Sequence, residues 1–177
     1  AYCGAKHAIA GFTDSLRTEL IHDRLDVHLT MVQLPAMNTP QFSWCRSKLR
    51  HQPQPVPPIF QPEVAAERIV WASHRQRREV FVGTPTVIAI EGNKVAPGAA
   101  DYYLGHTGFD SQQTPEEIPA DRPDNLFEPV PGDFGARGIF GKDAHDQAAT
   151  TWLSDHKGLS TLSGAAALGA VAWVVRK

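Results

Sequence analysis

The sequence predicts an α/β fold built on a parallel sheet, and two observations carry that prediction. Helical and strand-like patterns alternate along the first half of the chain in the order helix, strand, loop, helix, strand. The first strand-like run is short and mostly apolar rather than alternating, which suits a strand covered on both faces. With 177 residues, 42% hydrophobic and 20% charged, the chain is long enough for one domain with its own core.

Residues 2–22 read as an amphipathic helix. Ala5, Ala8, Ile9, Phe12, Leu16 and Leu20 fall on one face, and Asp14, Arg17, Thr18 and Asp23 lie largely off it. The chain opens at Ala1 inside this pattern, with no capping residue ahead of it, as expected of a fragment. Residues 26–34 (DVHLTMVQL) form the first strand, ended by Pro35. Residues 35–62 are irregular, and Pro53, Pro55, Pro57, Pro58 and Pro62 stiffen them toward extended conformations. A short helix is expected from Gln41 to Leu49. A ligand for SH3-type domains is one reading of this stretch, and a structural loop is the simpler one.

Pro62 suits the first position of a helix that runs on through Glu63 to His74, with Val64, Ile69, Val70 and Ala72 as its stripe. Glu79 to Gly83 reads as a second strand. Residues 84–106 predict one or two short helices, broken at Gly92 and at Pro97-Gly98. From 107 to 149 the chain is rich in Pro, Gly and Asp and poor in aliphatic residues, which predicts an irregular or disordered extension. Residues 150–177 end the chain as a terminal helix. Its stretch 159–175 carries no charge and spans roughly 26 Å, just short of a ~30 Å hydrocarbon core. Two readings stand for it, a membrane anchor and a tail helix docked on protein.

The net charge of −2 and the lack of a long basic run argue against a nucleic-acid partner. Cys3 and Cys45 make neither a disulfide framework nor a zinc site, and reduced thiols suit a cytoplasmic protein. The 8 histidines are scattered without a metal-binding spacing. The stretch Lys142-Asp143-Ala144-His145-Asp146 reads as a solvated loop rather than a metal site, so no metal is expected. Trp44, Trp71 and Trp152 read as packing residues.

The chemistry lies at the start of the chain. Tyr2 and Lys6 are four residues apart on a helix and so share one face. A phenol is a poor acid or base at neutral pH, but a fixed ammonium beside it favours the phenolate. Such a pair can exchange a proton with a substrate hydroxyl or carbonyl. Two residues at this spacing occur by chance in many helices, so their surroundings decide the reading.

Those surroundings are Gly4, Ala5, Lys6-His7-Ala8, Gly11-Phe12-Thr13-Asp14-Ser15-Leu16-Arg17 and Glu19-Leu20. Together with Tyr2 they closely resemble the active-site helix of the short-chain dehydrogenase/reductase family. The strand, the Pro35 turn, the proline-rich loop, the helix at 62–75 and the strand at 79–83 resemble that family in order and spacing. The resemblance implies that residues 1–106 are the C-terminal half of a Rossmann-like, doubly wound parallel sheet. It implies an NAD- or NADP-dependent oxidoreductase acting on a small alcohol or carbonyl compound, with Tyr2 as general acid/base. Lys6 would favour the Tyr2 phenolate and hydrogen-bond the nicotinamide ribose. The turn at Pro35, Ala36 and Thr39 would hold the nicotinamide carboxamide through backbone groups and the threonine. The loop 40–60 would cover the substrate, and the protein would form a homo-oligomer.

Three departures qualify the resemblance. The family's Pro-Gly after the strand is Pro35-Ala36 here, and Thr39 comes one residue early. The family's glycine-rich loop, catalytic serine and asparagine belong ahead of Tyr2, and Gly135, Gly138 and Gly141 do not replace that loop. Residues 107–177 extend beyond the usual fold. The isolated chain is therefore expected to be inactive. A second reading is a non-catalytic, membrane-tethered scaffold on the same fold, and a third is a sugar-nucleotide epimerase or dehydratase. The expected location is the cytoplasm, with membrane contact through 159–175 if that stretch is an anchor.

Overall fold

The computed structural model describes residues 2–119 and 121–148. The expected terminal helix at 150–177, with its apolar stretch 159–175 and Trp152, lies outside the described residues. No helix among the described residues is long and apolar enough to cross a membrane.

The architecture is mixed α/β with parallel sheets, consistent with a Rossmann-like fold. The helix α1 (Tyr2–His22) is followed by strands β1 (Met31–Gln33) and β2 (Ala36–Met37), then the short α2 (Gln41–Trp44). Strands β3 (His51–Pro53) and β4 (Ile59–Phe60) lead into α3 (Pro62–Ser73), and β5 (Glu79–Phe81) into α4 (Thr84–Val95) and α5 (Pro97–Thr107). A single 3-10 turn, Asp110–Gln112, precedes β6 (Gln113–Glu117), and β7 (Ala144–His145) comes late in the chain.

β1 lies parallel to β5 with Val32 opposite Val80. A parallel pair needs a long crossover, and the connection that contains α3 supplies it. β4 sits between β2 and β7, again all parallel, with Ala36 opposite Ile59 and Ile59 opposite Ala144. The core forms where these pieces meet: Phe60, Val64, Val82 and Ala148 are buried together, with Val32 and Met37 packed against them. Gly83 turns the chain from β5 into α4 at φ +81°, and the Phe60 ring and Pro35 Cβ lie 3.5 and 3.6 Å from where its Cβ would stand. Only glycine takes that backbone conformation without strain.

The expected elements are present with changed bounds. The apolar run 26–34 becomes a strand only at Met31–Gln33, because β5 pairs with no more than those three residues. α2 stops at Trp44 instead of reaching Leu49. Gly92 lies inside α4, and the break comes at Ala96, whose non-helical backbone (φ −139°, ψ 64°) sets Pro97 at the start of α5. α3 buries Val64, Ala65, Arg68 and Ala72, whereas Ile69 and Val70 face outward. The buried face of α3 therefore keeps Val64 and Ala72 of the expected stripe and takes in Ala65 and Arg68 in place of Ile69 and Val70.

α1 spans the expected residues, yet none of them is buried. Polar groups tie it to the rest: Asp14 pairs with Arg78 at 2.7 Å, and Arg17, paired with Asp14 inside the helix, donates to the Leu29 carbonyl at 3.3 Å. The stretch expected to be irregular carries β6 and β7. β6 forms because β3 offers an antiparallel edge, with His51 opposite Glu117 and Pro53 opposite Gln113 across an irregular register. Backbone pairing of this kind needs few apolar side chains. Part of Lys142-Asp143-Ala144-His145-Asp146 is likewise a strand, and the His145 ring lies 5.6 Å from that of Phe60.

Candidate functional site

α1 begins at Tyr2, and Lys6 stands one turn further on. The Lys6 ammonium lies 5.3 Å from the centre of the Tyr2 ring, the placement expected of neighbours four apart on a helix. Both side chains face solvent, with Tyr2 66% exposed. Among the described residues no carboxylate pairs with Lys6 within ion-pair distance, so its charge is available to Tyr2 and to a ligand. The His7 Nδ1 lies 2.9 Å from the Cys3 carbonyl one turn back on the same helix.

The second part of the predicted site is the turn after β1. Ala36 and Met37 form β2, which fixes the backbone immediately after Pro35. Asn38 then enters the interior and is fully buried. Its amide donates to the Phe60 carbonyl at 2.8 Å, and its carbonyl accepts from Gly138 at 3.0 Å. Its side chain accepts from the Phe140 amide at 3.0 Å and donates to Gln61 Oε1 at 3.0 Å. The Thr39 amide closes onto the Met37 carbonyl at 2.9 Å. Gly138 presses against this turn so closely that a Cβ there would overlap the Thr39 carbonyl oxygen and stand 2.8 Å from Asn38 Oδ1. The site's backbone is thus locked by a segment from the far end of the described chain.

Tyr2 and Lys6 lie together, and Pro35, Ala36 and Thr39 lie together. No hydrogen bond or ion pair joins the two groups among the described residues. The Thr39 hydroxyl has no hydrogen-bond partner among the described residues, whereas the amides of Asn38 and Thr39 are spent inside the fold. Asn38 itself was not marked by the sequence. A polar residue soon after a strand-ending proline is the one signal available, and it does not separate a buried hub from an ordinary turn. Trp44 packs edge-on against Phe134 at 4.4 Å, and Trp71 lies 4.3 Å from each of the Arg68 and Arg75 guanidinium groups.

The fold and site define an α/β protein, its central strand pairs parallel, that presents an exposed tyrosine–lysine pair on one helix face, with a locked turn after its first strand. The chain is similar to the uncharacterized oxidoreductase YxnA of Bacillus subtilis (strain 168), with 26% identity over 184 residues that take in 99% of this chain and 49% of YxnA. It therefore spans about half the length of that relative. No family model matches the chain, and no solved structure matches it.

Proposed function

We propose that the protein is an NAD(P)-dependent oxidoreductase of the short-chain dehydrogenase/reductase type, acting on a small alcohol or carbonyl compound. The observation that carries this reading is the Tyr2–Lys6 pair, exposed on one helix face with the ammonium 5.3 Å from the phenol ring. Similarity to an oxidoreductase along nearly the whole chain supports the general activity. The surrounding α1 sequence supports the narrower class.

On this reading, the nicotinamide supplies or takes up the hydride when bound. Tyr2 Oη hydrogen-bonds the substrate oxygen and gives or takes its proton. Lys6 holds its ammonium on the same helix face as the phenol, with hydrogens to offer the ribose hydroxyls. The residues present fit a nicotinamide nucleotide in part. Tyr2, Lys6 and the Thr39 hydroxyl have unspent hydrogen-bonding capacity, but the Asn38 and Thr39 amides do not. The turn's role therefore narrows to the Thr39 hydroxyl holding the carboxamide, with Pro35 and Ala36 beside it. NAD and NADP are equally compatible with these residues, and a homo-oligomer is the assembly proposed.

The test is the full-length protein carrying Tyr2→Phe, assayed by nicotinamide absorbance against a panel of alcohols and ketones. Turnover should fall by roughly a hundredfold to ten-thousandfold, the usual worth of a positioned acid/base. Undiminished turnover with every substrate that the wild type accepts rejects the assignment.

A further inference from the structure

We infer that residues 111–125 clamp the loop 41–54 in place over the substrate, with Arg122 as the positioning residue of that clamp. The inference rests on the function proposed above for its placement over substrate, but the clamp itself rests on geometry alone.

Among the described residues, the long-range hydrogen bonds and ion pairs of 41–54 all end on 111–125. The Ile118 amide donates to the Arg50 carbonyl at 3.1 Å, and the Gln54 amide to the Gln112 carbonyl at 2.9 Å. The Gln54 side chain reaches the carbonyls of Ser111 and Gln113 at 3.2 and 3.0 Å. Further along, the Asn125 amide donates to the Trp44 carbonyl at 3.1 Å. The loop is held from one side, by a segment far from it in sequence.

Arg122 is the centre of that hold. Its guanidinium donates to the Phe42 carbonyl at 3.1 Å, to Gln52 Oε1 at 3.1 Å and to the Cys45 carbonyl at 2.7 Å. One planar fork thereby fixes both ends of the stretch from α2 to β3. A lysine ammonium has donors but not this spread geometry. The packing around the fork is open: Arg122 borders two cavities of about 320 and 580 Å³ that flank the seam. Three hydrogen bonds to the loop meet at the fork, beside the ring contacts of Phe42 with Phe140 and of Trp44 with Phe134, so removing the fork should loosen the loop.

A released loop lowers the fraction of protein competent to bind substrate, and apparent affinity falls by that fraction. The chemistry at Tyr2 is untouched, so KM should move and kcat should not. The experiment compares full-length wild type with Arg122→Ala, Arg122→Lys, Gln54→Ala and Phe134→Ala. Phe134→Ala, outside the clamp, is the control for loss of a ring contact at Trp44, and Gln54→Ala, which removes the side-chain bonds to the Ser111 and Gln113 carbonyls, keeps the test open should the Arg122 variants fail to fold. Brief trypsin digestion reads cleavage after Arg46, Lys48 and Arg50, which tracks the population of the opened loop. The expected result is about tenfold faster cleavage in both Arg122 variants, a smaller acceleration in Gln54→Ala and the least change in Phe134→Ala. KM for the alcohol or ketone should rise about tenfold in the Arg122 variants, with kcat within about threefold of wild type.

Unchanged cleavage in every folded variant overturns the clamp. Faster cleavage with unchanged KM overturns its placement over substrate. Faster cleavage in a protein that shows no hydride transfer even as wild type upholds the clamp and rejects the function proposed above.

Discussion

At position 38 one residue satisfies four partners drawn from two distant stretches of chain, Phe60-Gln61 and Gly138 to Phe140. Replacing it with alanine would strand a buried Phe140 amide and a buried Gln61 side chain. Each unsatisfied group costs about 1–3 kcal/mol, so Asn38→Ala should lose roughly 2–6 kcal/mol in urea unfolding. A loss below about 0.5 kcal/mol, the usual size of a surface change, would show that these bonds do not hold the turn. Tyr2 and Lys6 pose the opposite case. Their relation is contained in four residues of helix, so the sequence alone displays it, whereas the partners of Asn38 lie up to about 100 residues away and leave no local trace. Lys6→Met in the full-length protein should raise KM for the dinucleotide and lower kcat together, because the same ammonium serves ribose and phenol. A change in KM alone would limit Lys6 to binding.

Elements show the same division between local and distant causes. Helix α3 is legible because Pro62 sits at its start and a helical stripe follows, whereas α4 and α5 are legible only as one or two short helices, the division between them marked by Pro97-Gly98 and not by Gly92. The face that α3 buries was not legible, since Val64 and Val70 are equally apolar and only the neighbouring strands choose between them. β6 was hidden more completely: Gln-Thr-Pro-Glu-Glu has little strand propensity, and its ladder exists because β3 is beside it. The start of α3 also carries a pH-dependent tie. The Arg137 guanidinium, 2.9 Å away, holds the Glu63 carboxyl below the usual carboxylate range, with help from Glu63's own backbone amide. A carboxylate whose folded pKa is depressed stabilises the fold above its unfolded pKa, and the contribution is lost as pH falls through the folded value. Acidification through that range should therefore loosen the Gly138 to Phe140 segment next to Arg137. Amide exchange at these positions, corrected for intrinsic rates, should quicken modestly in wild type, because the pair is exposed. Glu63→Gln should be quick at neutral pH already and show a flatter pH response. Identical pH responses in the two proteins would remove the tie from the account.

On the scale of the whole molecule, the boundary expected near residue 106 divides two stretches that share a core. Phe140 and Ala148 are buried, and Ala148 packs with Phe60, Val64 and Val82 from the preceding half. β7 completes the three-stranded sheet on β4, and β6 supplies the partner for β3. Composition could not reveal this, because a stretch poor in aliphatic residues can still dock through backbone ladders and a few well-placed side chains. Burial of Phe140 alone is worth about 1.5–3 kcal/mol against a typical net stability of about 5–15 kcal/mol, before the bonds to Asn38 are counted. A chain ended after His106 would leave Ile59 and Phe60 open, Asn38 half-satisfied and the loop 41–54 without its tethers. Urea unfolding of that truncated chain should show a broad, weakly cooperative transition with a reduced slope, beside a sharper one for the intact protein. If the truncated chain instead unfolds at the same midpoint, with a slope scaled only to its length, residues 107–148 are an appendage and the shared core does not govern stability.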